Sequence, residues 1–412
     1  MAGLLMVCSY FLTLSFLQPH FPLLPWVALV LIGAPYFFMA KEVIVSIFRD
    51  KTDFSKVLDG IDPSSQAEPA FILTEEMLSA LQWITKAEIF GQNHVIDPLI
   101  TVIQANAEIP DRERPLVSAA FFGPPGVGKS DLAKLIAKAV YEALERHFFR
   151  VDSSQYTDHS MSTMTGSNRG FMGSDQPGAL TSALEQTSGK LVILVDEPDR
   201  VNGDPKRWIQ AWMPVLDGRV TEVATKREYA TRNAMIFLAS NHRHEKLGAI
   251  GEKYRLLKDK MKPAELAAAY RKEVMAVIDP EVFPKAVLDR LDYIGIVAPL
   301  SREVIVDIVL KEITLLTQKH NMEVSFIDAE VLKEVIRVGM AGESTGARDF
   351  HRWVAEHVNP ALVSAKRQNA KKIKLVLGGD GKVYATITEA HNSVPPTESA
   401  DSPASGRPAR GK

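Results

Sequence analysis

Residues 123–130 read Gly123-Pro124-Pro125-Gly126-Val127-Gly128-Lys129-Ser130. An apolar run with strand character, Val117 to Phe122, leads into them, and a helical pattern, Asp131 to Glu145, follows. Strand, glycine-rich loop and helix, in that order, make a cradle for phosphate. The glycines let backbone N–H groups curl around an anion that side chains would hold off, and the helix N-terminus turns its positive end toward it. In such a loop Lys129 reaches the β- and γ-phosphates of a nucleotide, and the Ser130 hydroxyl ligates Mg²⁺. The competing reading is a Gly-Pro turn that happens to end in Gly-Lys-Ser; the flanking strand and helix weigh against it. The expected cofactors are therefore ATP and Mg²⁺.

Working outward, residues 191–197 read Leu-Val-Ile-Leu-Val-Asp-Glu. This is a buried strand that ends in two carboxylates. In a parallel sheet, ligand groups sit at the carboxyl ends of strands. Asp196 is placed to hold Mg²⁺ and Glu197 to polarise a water that attacks the γ-phosphate. Two solvated acids capping a turn are the alternative. The next apolar run, Met235 to Ala239, ends in Ser240-Asn241. Asn241 either hydrogen-bonds the γ-phosphate or attacking water, or simply forms a turn.

The runs Ala119–Phe122, Phe148–Val151, Leu191–Val195, Ala234–Ala239 and Tyr293–Val297 alternate with helical patterns, which predicts a parallel α/β sheet. From Ser301 the pattern changes to helices at 301–319, 328–338 and 346–367, with β-like runs at 322–326, 373–377 and 382–387. Gly378-Gly379-Asp380-Gly381 reads as a hairpin turn. The last residues, from 389, lack apolar periodicity and are expected to be disordered.

The chain has 412 residues and a formal charge of −2, so no basic field points to nucleic acid. Its one cysteine, Cys8, excludes an internal disulfide framework. His242-Arg243-His244-Glu245 lacks the order of a zinc-protease helix and reads as a solvated loop. Ala2 to Ala40 contains no Asp, Glu, Lys or Arg, and Pro19, Pro22 and Pro25 divide it. Each half is about 17 residues, the lower limit for a bilayer span. A transmembrane hairpin over 1–40 is expected, against a signal peptide or a buried core hairpin. The first cations after it are Lys41, Arg49 and Lys51. They flank the second span, and the nucleotide loop needs cytosolic ATP, so both termini are expected in the cytoplasm, at a bacterial inner membrane.

The order of motifs from Ile89 to Val376 resembles an AAA+ ATPase, most closely the second ATPase module of Clp-type disaggregases and unfoldases. Ile89-Phe90-Gly91-Gln92 resembles the family's adenine-side segment, giving Ile89 and Gln92 a cofactor-binding role. Gly123 to Ser130 resembles its Walker A loop, and Asp196-Glu197 its Walker B pair. Val215-Leu216-Asp217-Gly218-Arg219-Val220-Thr221 is similar to its Leu-Asp-Asp-Gly-Arg-Leu-Thr segment. Ser240-Asn241 resembles the family's sensor-1 segment. Leu288-Asp289-Arg290-Leu291-Asp292 resembles the segment carrying its arginine finger, and Gly346-Ala347-Arg348 its sensor-2 motif.

The resemblance implies that Arg290 acts on a neighbouring subunit's nucleotide, and hence a homo-hexameric ring. The alternative for Arg290 is a surface ion pair with Asp289 or Asp292. Arg348 would couple a small domain to the nucleotide. Gly170-Phe171-Met172-Gly173 resembles the pore loop that grips a polypeptide substrate; the alternative packs Phe171 in the core. Ile250-Gly251-Glu252 lacks the apolar anchor of peptidase-docking relatives, which makes a peptidase partner doubtful.

The implied architecture is a P-loop NTPase domain at 73–300, a parallel sheet flanked by helices. A hairpin at 1–40 and a linker at 41–72 precede it. A small α-helical/β lid domain at 301–388 and a tail at 389–412 follow. The implied activity is ATP hydrolysis coupled to protein remodelling. The rival readings are an assembly factor or a nucleotide-switched scaffold of a membrane or secretion complex.

Overall fold

The computed structural model describes residues 71–141, 144–167, 177–257, 260–340 and 346–390. The expected hairpin at 1–40, the linker up to residue 70, the Gly170–Gly173 loop and the tail from 391 lie outside the described residues. Among the described residues no helix is long and apolar enough to cross a membrane.

The strands are β1 (Val117–Phe122), β2 (Phe148–Asp152), β3 (Val192–Asp196), β6 (Met235–Ser240) and β7 (Tyr293–Ile296), and they form one sheet in the order β2-β3-β6-β1-β7. Every pairing is parallel, with Val117 opposite Met235 and Asp152 opposite Asp196. A parallel sheet needs cover on both faces, so its central strands are apolar throughout. Accordingly β1, β3 and β6 are buried along their whole length. Successive side chains alternate between faces. Phe121 stacks on Phe237 at 5.5 Å on one side, and Phe122 meets Phe283 edge-on at 5.1 Å on the other. The first face packs on Leu132 and Ile136 of the helix Lys129–Val140, the second on Trp208 and Trp212.

The helix after the glycine-rich loop is shorter than its pattern suggested. It stops at Val140 because Tyr141 turns extended, and the Tyr141 ring is buried between Phe71 and His147. The entering chain is fixed there too, since the Phe71 N–H donates to Asn233 Oδ1 at 2.7 Å. His244 opens a helix, His244–Leu257, rather than lying in a solvated loop. The ring of His242 packs against Phe283, and burial holds its pKa below the usual histidine value.

A hairpin of β4 (Arg219–Thr221) and β5 (Glu228–Ala230) stands off the main sheet. The Val223 N–H donates to the Thr165 carbonyl at 2.8 Å. The buried Glu222 carboxylate accepts from the Gly178 N–H at 3.3 Å and Thr181 Oγ1 at 3.2 Å. One hairpin therefore holds the chain on both sides of residues 168–176.

Beyond Leu300 come the helices Arg302–Lys319, Ala329–Met340, Ala347–His357 and Asn359–Arg367. A three-stranded sheet, β10-β9-β8, joins them, built from β8 (Glu323–Ile327), β9 (Ala370–Leu377) and β10 (Val383–Ala390). The pattern at 346–367 splits in two at Val358, where Pro360 enters the first turn of the second helix. Proline fits a first turn, where its missing N–H costs nothing, but not a helix interior. The Gly378–Gly381 turn joins β9 to β10 as its residues suggested. All described residues belong to one unit, Ala70–Lys412.

Candidate functional site

The carboxyl ends of β1, β2, β3 and β6 open on one polar cleft. Pro125, Gly126, Gly128, Lys129, Ser130, Arg150, Asp196, Glu197, Asn241 and Arg348 are among the residues that line it. The glycine-rich loop leaves β1 at Gly123, and backbone shape dictates its composition. Gly126 and Gly128 have φ of +75° and +97°, a left-handed region where a side chain is strained. A Cβ on Gly128 would also fall 3.2 Å from Ile89 Cδ1. Ile89 is thus placed under the loop, and Val127 is buried beside it. Gln92 is buried, and its amide is spent on a backbone: Nε2 donates to the Ala298 carbonyl at 3.0 Å and Oε1 accepts from the Ala298 N–H at 3.0 Å. It pins the segment after β7 to the segment after residue 91.

Lys129 Nζ donates to the carbonyls of Gly123 at 2.8 Å and Pro124 at 2.6 Å, and to Asn241 Oδ1 at 2.7 Å. Burial pushes its pKa down to about 8, opposed by Asp196, Glu197 and Asp199 and aided by Arg348. The Asn241 amide spans two partners, because its Nδ2 donates to Glu197 Oε1 at 2.9 Å. An ammonium, an amide and a carboxylate are thus linked in sequence across the cleft.

Asp196 is the last residue of β3, and Ser130 Oγ lies 3.0 Å from both of its carboxylate oxygens. Mg²⁺ is usually held by one or two protein oxygens together with substrate phosphates. A hydroxyl and a carboxylate converging beside a helix N-terminus, under a loop whose Gly126 and Gly128 have left-handed backbones, are a donor set of that kind. Glu197 follows with φ +48°, a left-handed backbone uncommon for a residue with a side chain. Its N–H donates to the Ala239 carbonyl at 2.8 Å, and Pro198 then starts a short 3₁₀ turn. That bend lifts the Glu197 carboxylate to Asn241. Strained backbone of this sort concentrates at functional sites.

Arg348 reaches the cleft from the first turn of the helix Ala347–His357. The Ala347 N–H donates to the Gly126 carbonyl at 2.8 Å, so the region beyond residue 300 is hydrogen-bonded directly to the phosphate loop.

Arg290 lies apart from the cleft. Its partner is neither Asp289 nor Asp292: Nε donates to Asp217 Oδ1 at 2.7 Å and Nη1 to the Ala286 carbonyl at 2.7 Å. Asp289 pairs with Lys285 at 2.9 Å, and Asp292 accepts from the Ser118 N–H at 2.8 Å. Ile250-Gly251-Glu252 lies within a helix, with Ile250 buried and Glu252 paired to Arg255 at 2.7 Å. Gly170, Phe171, Met172 and Gly173 lie outside the described residues.

Sequence reasoning missed Arg150 and Asp152, both of which line the cleft from the end of β2. The signal was present: in Arg150-Val151-Asp152 the charged residues stand two apart, on one face of a strand that ends at the ligand edge.

Residues 114–294 match the family model described as AAA domain (Cdc48 subfamily). The chain is 30% identical over 365 residues to the chaperone protein ClpB of Staphylococcus aureus (strain COL), covering 86% of this chain and 39% of that protein. It is 29% identical over 310 residues to the chaperone protein ClpB of Lactococcus lactis subsp. lactis (strain IL1403), covering 73% of this chain and 33% of that protein. The chain thus spans about 39% of the length of the first of these relatives. Loop, acidic strand end and sequence similarity agree: the chain carries a nucleotide-binding AAA+ ATPase domain and is similar to the ClpB chaperones.

Proposed function

We propose that this protein binds ATP with Mg²⁺ in the cleft, hydrolyses it, and uses the energy to remodel or thread polypeptide substrates as a homo-hexameric ring. The observation that carries the reading is the convergence of Lys129, Asp196, Glu197, Asn241 and Arg348 on one cleft. Ser130 and Asp196 would hold Mg²⁺, which when bound offsets phosphate charge. Lys129 and the loop amides bind the phosphates. Glu197 accepts a proton from the attacking water, and Asn241 orients Glu197. Arg348 ties the region beyond residue 300 to the occupancy of the cleft. Arg290 serves the cleft of the adjacent subunit.

Lys129→Ala should abolish nucleotide binding, whereas Glu197→Gln should bind ATP and fail to turn it over, because an amide cannot take the proton. A Gln variant hydrolysing within about threefold of wild type would remove Glu197 from the mechanism.

The same reading places residues 1–40 in a membrane, with the ATPase domain in the cytoplasm of a bacterium. The charge-free run from Ala2 to Ala40 supports it. Full-length protein released from membranes by carbonate alone would exclude a span.

An assembly factor without threading is the rival, and Phe171 separates the two. Phe171→Ala should leave hydrolysis intact and abolish work on protein. If Phe171 packs in the core instead, the same change should cost about 3–5 kcal/mol of stability and lower all activities together. A stable Phe171→Ala protein that still unfolds substrate at the wild-type rate would end the threading proposal.

A further inference from the structure

The carboxylate expected to take the metal is already engaged by a cation. Arg150 Nε and Nη2 donate to Asp196 Oδ2 at 3.1 and 2.7 Å. The Asp196 side chain is 9% exposed and that of Arg150 is 49% exposed. A nearly buried anion is therefore compensated from the open side of the cleft. Lys129 makes no hydrogen bond to this carboxylate, since its own go to Gly123, Pro124 and Asn241.

A nucleotide-bound Mg²⁺ needs the same carboxylate, directly or through one of its waters. Arg150 and the metal would then share one carboxylate, two cations in a cleft where repulsion is only partly screened.

We infer that Arg150 is a positioning residue that competes with Mg²⁺ for Asp196. It holds the carboxylate against Ser130 while the cleft has no metal, and it leaves Oδ2 when metal arrives with nucleotide. The partial exposure of Arg150 makes the exchange feasible, because the guanidinium can move to solvent without opening a void. Arg150 thereby sets how strongly Mg²⁺ and nucleotide reinforce each other's binding. The inference rests on the nucleotide–metal reading above.

The test measures binding, not turnover. The affinity of a fluorescent ADP analogue is determined in EDTA and again at saturating Mg²⁺, and the ratio is the coupling. Arg150→Gln, which removes the competing charge, should raise the coupling about tenfold and lower the Mg²⁺ midpoint to match. Arg150→Lys keeps the charge but loses the two-pronged grip, and should raise it about threefold. Asp196→Asn should bring the coupling close to one, with or without Arg150→Gln. Coupling unchanged within about twofold in both Arg150 variants, or lowered in Arg150→Gln, would overturn the inference while leaving nucleotide binding intact. Wild-type protein that binds no ADP analogue with or without Mg²⁺ would instead overturn the nucleotide reading.

Discussion

Gly126 and Gly346 meet backbone to backbone: a Cβ added to either would lie 2.8 Å from the Cα of the other. One residue belongs to the phosphate loop and the other precedes Arg348. No side chain intervenes, and the adjacent hydrogen bond from Ala347 to Gly126 closes the contact.

Gly346→Ala is therefore expected to act at a distance from its own region. Gly346 has φ of −108°, so alanine brings no backbone strain, only the clash. The loop and the helix carrying Arg348 should separate. Nucleotide affinity should fall about tenfold, with a melting temperature close to wild type. Gly126→Ala should be worse, since it adds the cost of a left-handed backbone. Wild-type affinity in a folded Gly346→Ala protein would show that the contact is incidental.

The depressed pKa of Lys129 gives the site a pH dependence of definite sign. Below about 8 the ammonium is charged in both the empty and the occupied cleft. Above that value the empty cleft holds the neutral amine, and phosphate binding must take up a proton. Affinity for ADP should be level near neutrality and fall as pH rises past about 8, by up to about tenfold per unit. Lys129→Arg should flatten the decline. Calorimetry in buffers of different ionisation heat reads the proton directly, and no uptake in alkaline buffer would contradict the assignment.

Arg290 is held by Asp217, on the segment that leads into the β4–β5 hairpin, and not by its sequence neighbours. If it acts across a subunit boundary, Arg290→Ala should slow turnover by about 10³-fold while ADP affinity barely changes. Mixing it with Lys129→Ala subunits should restore activity, because some boundaries then pair an intact cleft with an intact arginine. Verified mixed assemblies that stay inactive would argue against action between subunits.

Much of the catalytic edge was legible in the sequence because it follows from local rules. The Gly123–Ser130 loop, the acids after β3 and Asn241 after β6 each end an apolar run, and a parallel sheet brings such ends together. The rest depended on contacts that no local pattern encodes. Arg150 is one alternating residue in a short strand, and its partner Asp196 is known only once β2 and β3 are seen side by side. The role of Gln92 as a clamp on Ala298 joins residues more than two hundred apart. Arg290 pairs with Asp217, while the nearby Asp289 and Asp292 are engaged by Lys285 and the Ser118 N–H, a choice that the local sequence does not reveal.

The hairpin that holds Thr165 through Val223, and Gly178 through Glu222, carries a consequence for change over time. Both grips are made by residues outside 168–176, so these bonds of the frame do not draw on the sequence of that interval. Substitutions there are therefore expected to leave the Glu222 carboxylate with the donors Gly178 N–H and Thr181 Oγ1. Exchanging residues 168–176 for a foreign stretch of the same length should give a protein that melts and turns over nucleotide as before, so the frame and the cleft can be inherited while the interval between the grips diverges.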